Sequence, residues 1–185
     1  MALTYSSMLD LQTDLIEFDL LNSLNGEIFA SNSLEDNKAT LIMFICNHCP
    51  YVIHYHGEIV RLSNDYNQKI NMVAISSNDI TEYPQDNPER MRELWNSLNL
   101  SFPYLFDETQ EIAKKYKAEC TPEFYLFNQL NKLVYRGRMD ETSPGSDKQP
   151  SGKDLRMAID NLLSNQLICE EQLPSMGCNI KWKAN

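Results

Sequence analysis

The chain has 185 residues, 42% of them hydrophobic and 23% charged, with a formal net charge of −10; that length supports one good core and is short for two, so residues 1–185 read as a single domain. The acidity argues against nucleic acid or an anionic membrane as partner, because neutralising phosphates needs clustered Lys and Arg, and its main consequence is solubility. Five cysteines, an odd number, suit a reducing compartment better than a disulfide framework.

The N-terminal residues Met1 to Met8 have neither a basic region nor an apolar core, and no later stretch is long enough to span a bilayer. The location read from this is cytoplasmic, although a secreted chain with its signal removed reads the same way. Glu17 to Leu21 and Glu27 to Phe29 flank Asn25-Gly26, which predicts a β-hairpin extending a sheet. The run Thr40 to Ile45 is almost wholly apolar and suits a strand buried on both faces. A helix is predicted from Cys46 or Asn47 to Tyr66, then a second buried strand from Ile70 to Ser76, together a right-handed βαβ unit. Ser77 to Pro88 is polar with two prolines and reads as a loop, either a surface connection or a lining of the active-site groove at the carboxyl edge of the sheet.

A helix over about Glu89 to Leu98 follows, then a short strand from Phe102 to Asp107 and a helix from about Gln110 to Tyr116. Glu123 to Phe127 and Lys132 to Arg136 are β-rich runs joined by the hairpin loop Asn128 to Asn131, and should form the antiparallel half of the sheet. Asp140 to Gly152 reads as an exposed loop, and a last helix begins near Ser151 or Asp154 and ends near Leu163. Residues 164–185 are expected to be an irregular tail. The alternation predicts an α/β fold with a central mixed sheet flanked by helices.

Cys46-Asn47-His48-Cys49 lies where the first buried strand hands over to a helix beginning with Pro50. A CxxC is redox-active, metal-binding or simply buried, and its βαβ setting selects the redox reading. Unpaired N–H groups at the helix start should favour ionised Cys46 as the attacking thiolate, with Cys49 one turn on to resolve the mixed disulfide. His48 either lowers the Cys46 pKa or points into solvent. Pro50 falls near the first turn, where a missing N–H matters little.

Phe44 to Tyr51, containing Cys46-Asn47-His48-Cys49-Pro50, resembles the active-site segment of the thioredoxin-like superfamily. Within it, the segment resembles the redoxin branch of thiol-disulfide oxidoreductases and antioxidant proteins related to alkyl hydroperoxide reductase. Thr121-Pro122 resembles that group's cis-proline loop, Val134 to Gly137 its following hairpin strand, and Gly177 to Lys183 the tail of one subgroup. The strand and helix at 102–116 are similar to the insertion that marks this branch. The resemblance implies a cis bond at Pro122, which would turn the Thr121 backbone toward the dithiol to pair with an extended substrate.

Thiol-disulfide exchange through Cys46 and Cys49 is therefore the expected activity, supported by Asn47, His48, Pro50, Thr121 and Pro122. Its partners would be a disulfide-containing protein or small thiol and a separate dithiol reductant, with no metal and no organic cofactor required. Cys120 is a candidate accessory thiol, a reactive bystander or a small buried residue. Cys169 and Cys178 can take electrons from the CxxC only if the tail folds back. Two alternatives stay open: a thiol peroxidase using the same cysteines, and a soft-metal module using Cys46, His48 and Cys49. His54 and His56 are expected to be solvated helix residues. Two departures from the family pattern stand out: Thr40 occupies the position of the buried acid of many thioredoxins, and the Pro-x-x-x-Thr/Ser-x-x-Cys of typical peroxiredoxins is missing.

Overall fold

The computed structural model describes residues 3–184. Its strands are β1 (Leu3–Tyr5), β2 (Asp19–Asn22), β3 (Ile28–Ala30), β4 (Thr40–Phe44), β5 (Asn71–Ser76), β6 (Tyr104–Phe106), β7 (Cys120–Thr121), β8 (Glu123–Phe127), β9 (Leu133–Gly137) and β10 (Met176–Asn179). Its α-helices are α1 (Pro50–Tyr66), α2 (Pro88–Ser97), α3 (Glu111–Lys115) and α4 (Lys153–Leu163). Seven strands form one sheet in the order β3-β2-β6-β5-β4-β8-β9, and β1-β10-β7 form a second, smaller one. β4, β5 and β6 run parallel, while the other neighbours are antiparallel, so the sheet is mixed as expected.

Alternation along the strands divides the core in two. Leu41 and Met43 of β4, Ala74 of β5 and Phe124 and Leu126 of β8 pack against α1, α2 and α4 through Val52, Ile59, Trp95, Leu155 and Ile159. Ile42 and Phe44, Val73 and Ile75, and Tyr125 and Phe127 face the other way onto Ile112 and Ala113 of α3 and Tyr116, its C-cap. All five residues of β4 are therefore buried, which is why its sequence is apolar without a period of two. Trp95 is fully enclosed, and its indole N–H donates to Phe102 O at 2.9 Å. The N-terminal hairpin forms, with Leu20 opposite Phe29, and β2 docks on β6. The strand and helix at 102–116 are present as β6 and α3.

Two boundaries differ from the sequence reading in ways that matter for the site. α1 starts at Pro50, with Cys49 extended as its N-cap (φ −71°, ψ 121°), rather than at Cys46 or Asn47. The proline explains this: its ring disfavours helical backbone at the residue before it and suits the first helical position. The tail over 164–185 is not wholly irregular, because Met176–Asn179 forms β10 between β1 and β7. Gly177 permits that approach, since a Cβ there would lie 2.0 Å from Thr121 O.

Candidate active site

The two cysteines sit at the carboxyl end of β4, Cys46 in the turn before the helix and Cys49 capping α1. Both are buried and reduced. They face β7, whose last residue supplies both contacts: Cys46 Sγ lies 3.4 Å from Thr121 Oγ1, and Cys49 Sγ lies 3.2 Å from Thr121 O. The Thr121-Pro122 bond is cis, in agreement with the resemblance.

The two sulfurs are also hydrogen-bonded to each other. Cys46 is pushed well above the ordinary thiol range by donating to Cys49, by burial and by the negative charge of Asp86. Cys49 is lowered to about 5, first because Cys46 donates to it, with further help from the Cys178 thiol and from the Val52 and Cys178 N–H groups. The hydrogen bond between the sulfurs thus favours the charge on Cys49, whereas the sequence reading placed it on Cys46. The Cys46 thiol is the main cause, and the later helix start adds to it by putting Cys49 beside the Val52 N–H of the first turn. When protonated, Cys49 donates to Thr121 O.

The intervening residues are held by a side chain that the sequence did not single out. Asp86, fully buried, accepts from the Asn47 N–H (2.8 Å) and from Asn78 Nδ2 (2.8 Å), and its Oδ2 lies 2.6 Å from His48 Nδ1. Asn47 Nδ2 donates to Gln85 O (2.9 Å), and Tyr104 Oη donates to Asn47 Oδ1 (3.1 Å). The His48 ring stacks on Tyr83 at 5.3 Å between centroids. His48 is thus turned in to Asp86 rather than out to solvent, with a ring nitrogen within 4.8 Å of the Cys46 sulfur. The 77–88 loop lines the site rather than crossing bare surface. Its Asp-Asn-Pro end carries a helix-start signal, with Asn87 capping α2 through Arg90 N (2.9 Å), but nothing in that signal points Asp86 inward.

The other candidates separate cleanly. Cys120 points away from the dithiol toward Glu123, and burial and that carboxylate push its pKa far up, so the accessory role allowed for it is not supported. Cys178, in contrast, joins Cys46 and Cys49 in one cluster of buried side chains. Cys169 is exposed. His54 and His56 are half-buried rather than solvated: His54 Nε2 lies 2.9 Å from Thr142 Oγ1, and burial lowers the His56 pKa. Arg136, a cation that would have to face the sulfurs to assist a peroxidase, donates instead to Leu9 O, and Arg138 pairs with Asp154. Among the described residues, Cys46, His48 and Asp86 bring ligand-type atoms within 4.8 Å of one another, a sulfur, nitrogen and oxygen set. A buried thiol pair beside a backbone carbonyl can exchange disulfides, and its charge distribution would hold the reduced form.

Residues 11–153 match the Redoxin family model. No curated protein matches the chain significantly. Among solved structures, an uncharacterized conserved protein from Geobacillus kaustophilus is 45% identical, with a TM-score of 0.96 over 100% of this chain and 98% of that one. A hypothetical protein from Sinorhizobium meliloti is 38% identical, with a TM-score of 0.94 over 98% of this chain and all of that one. A thiol-disulfide oxidoreductase from Bacteroides fragilis is 25% identical, with a TM-score of 0.55 over 70% of this chain and 93% of that one.

Proposed function

We propose, from the premise that this chain belongs to the redoxin family, that it is a thiol-disulfide oxidoreductase working through Cys46 and Cys49. The observation that carries this reading is the contact of both sulfurs with Thr121, directly before a cis Pro122. Cys46, in the turn before the helix, meets the substrate disulfide, and Cys49, the N-cap of α1 packed against Thr121 O, resolves the mixed disulfide. As Cys46 attacks, its proton passes along their hydrogen bond to Cys49, a mixed disulfide forms and one substrate sulfur leaves as thiolate. Cys49 then attacks the Cys46 sulfur, its proton goes to the second leaving sulfur, and a Cys46–Cys49 disulfide remains for a separate dithiol to reopen. The partner is a disulfide-bearing protein or small thiol, and neither a metal nor an organic cofactor enters the cycle.

The charge held on Cys49 stabilises the reduced pair and so raises its reduction potential. Equilibration with glutathione buffers should place the couple above about −270 mV, the value of a reductant thioredoxin. Cys49→Ser should trap the mixed disulfide with substrate and Cys46→Ser should not. Rapid hydroperoxide consumption by the same reduced sample, lost in Cys46→Ser, would replace this reading with a thiol peroxidase. Failure to form any reversible couple would favour a soft-metal site.

A further inference from the structure

We propose that Cys178 is a third redox-active thiol of this site, which attacks the Cys49 sulfur of the Cys46–Cys49 disulfide and moves the bond to Cys49–Cys178. This rests on the thiol-disulfide reading above. The placement comes from strand register. Cys178 of β10 stands directly opposite Thr121 of β7, and residues paired across antiparallel strands project to the same face. Thr121 points its hydroxyl at Cys46 Sγ, so Cys178 is aimed at the dithiol, while the next pair, Asn179 with Cys120, is turned away. The Cys178 thiol accordingly donates toward the Cys49 sulfur.

The backbone is built for this approach. At Gly177 any side chain would overlap Thr121 O and crowd Pro122 N, so only glycine lets β10 lie against the cis-proline turn. β1 holds β10 from its other side through Leu3 opposite Cys178. The tail strand is thus fixed rather than draped.

The exchange balances without an added oxidant or reductant. The S–S bond between Cys46 and Cys49 breaks as the bond between Cys178 and Cys49 forms, and the Cys178 proton goes to Cys46. Asp86 beside Cys46 opposes a negative charge there, which favours protonation of that leaving sulfur. In the reduced protein the Cys178 pKa is pushed up to about 12 by burial and by its donation to Cys49. Once Cys49 is in a disulfide that second cause vanishes, and the nearby Lys181 ammonium, which favours the Cys178 thiolate, remains. The outcome is a disulfide stored on the tail strand and a Cys46 thiol restored at the turn.

Oxidising the full-length protein with a small-molecule disulfide, quenching in acid, alkylating and mapping non-reduced peptides by mass spectrometry reads this directly. The wild type should yield both Cys46–Cys49 and Cys49–Cys178 linkages, Cys178→Ser only the first, and Cys46→Ser neither, because Cys46 is the sulfur that meets the oxidant and hands the bond on. Recovery of Cys46–Cys49 alone from the wild type overturns the inference while leaving the oxidoreductase reading intact. If the wild type forms no reversible disulfide, that reading fails, and the inference fails with it.

Discussion

Cys46 and Cys49 differ in what surrounds each sulfur, and that difference is measurable. Absorbance of the reduced protein near 240 nm should show the first thiol proton leaving at about pH 5, far below the ~8.5 of an unperturbed cysteine. Below that pH both sulfurs are protonated; above it one thiolate persists, and the second proton is held to high pH. In Cys46→Ala the strongest donor to Cys49 is gone, so the low step should move upward toward the ordinary value. An unchanged step would mean that the helix N–H groups alone hold the charge. Asp86 makes the complementary case. Its carboxylate fixes Asn47, His48 and Asn78 at once, and Asp86→Asn, which turns a donor toward at least one of these donors, should lower stability by about 2–3 kcal/mol in urea unfolding. The same substitution removes the negative charge beside Cys46, so the second thiol proton should leave at lower pH. Neither Asp86 nor Cys178 was assignable from residue order, because each meets the dithiol across more than thirty intervening residues.

Among the strands, β8 carries the most unusual side chain. Glu123 lies buried opposite Phe44, with its carboxylate taking hydrogen bonds from Tyr125 Oη (2.7 Å) and Glu119 N (3.0 Å). Burial raises its pKa from 4.5 to about 7. Between those values the folded chain keeps a proton that the unfolded chain has lost, so this residue makes the fold less stable as pH rises through that window, by up to about 3 kcal/mol. Urea midpoints at pH 5 and pH 8 should fall for the wild type relative to Glu123→Gln, and parallel curves would mean that the carboxylate is solvated. The elements also show what local pattern can and cannot specify. β4, β5 and the hairpin β8–β9 were visible as apolar or β-branched runs bounded by turn residues. The start of α1 was misplaced because proline preference competed with a motif expectation, and β10 was missed because Met-Gly-Cys-Asn has neither strand periodicity nor β propensity. It is a strand only because two others offer it partners.

For the whole molecule, the seven-stranded sheet is sealed on both faces at its centre and open at its margins. Native-state hydrogen exchange should find the amides of β4, β5 and β8 opening only near global unfolding, and those of β3 and β1 opening earliest. Uniform protection would contradict that order. The sequence by itself determined the mixed α/β sheet, the buried central strand and the identity of the dithiol, since these follow from composition, short-range periodicity and a motif at a strand–helix junction. Only the tertiary structure decided what surrounds each sulfur, that Asp86 anchors the turn, and that Cys178 rather than Cys120 approaches the pair. Those outcomes depend on contacts between segments far apart in the chain, where a one-residue change of register turns a side chain to the other face and no local pattern records the choice.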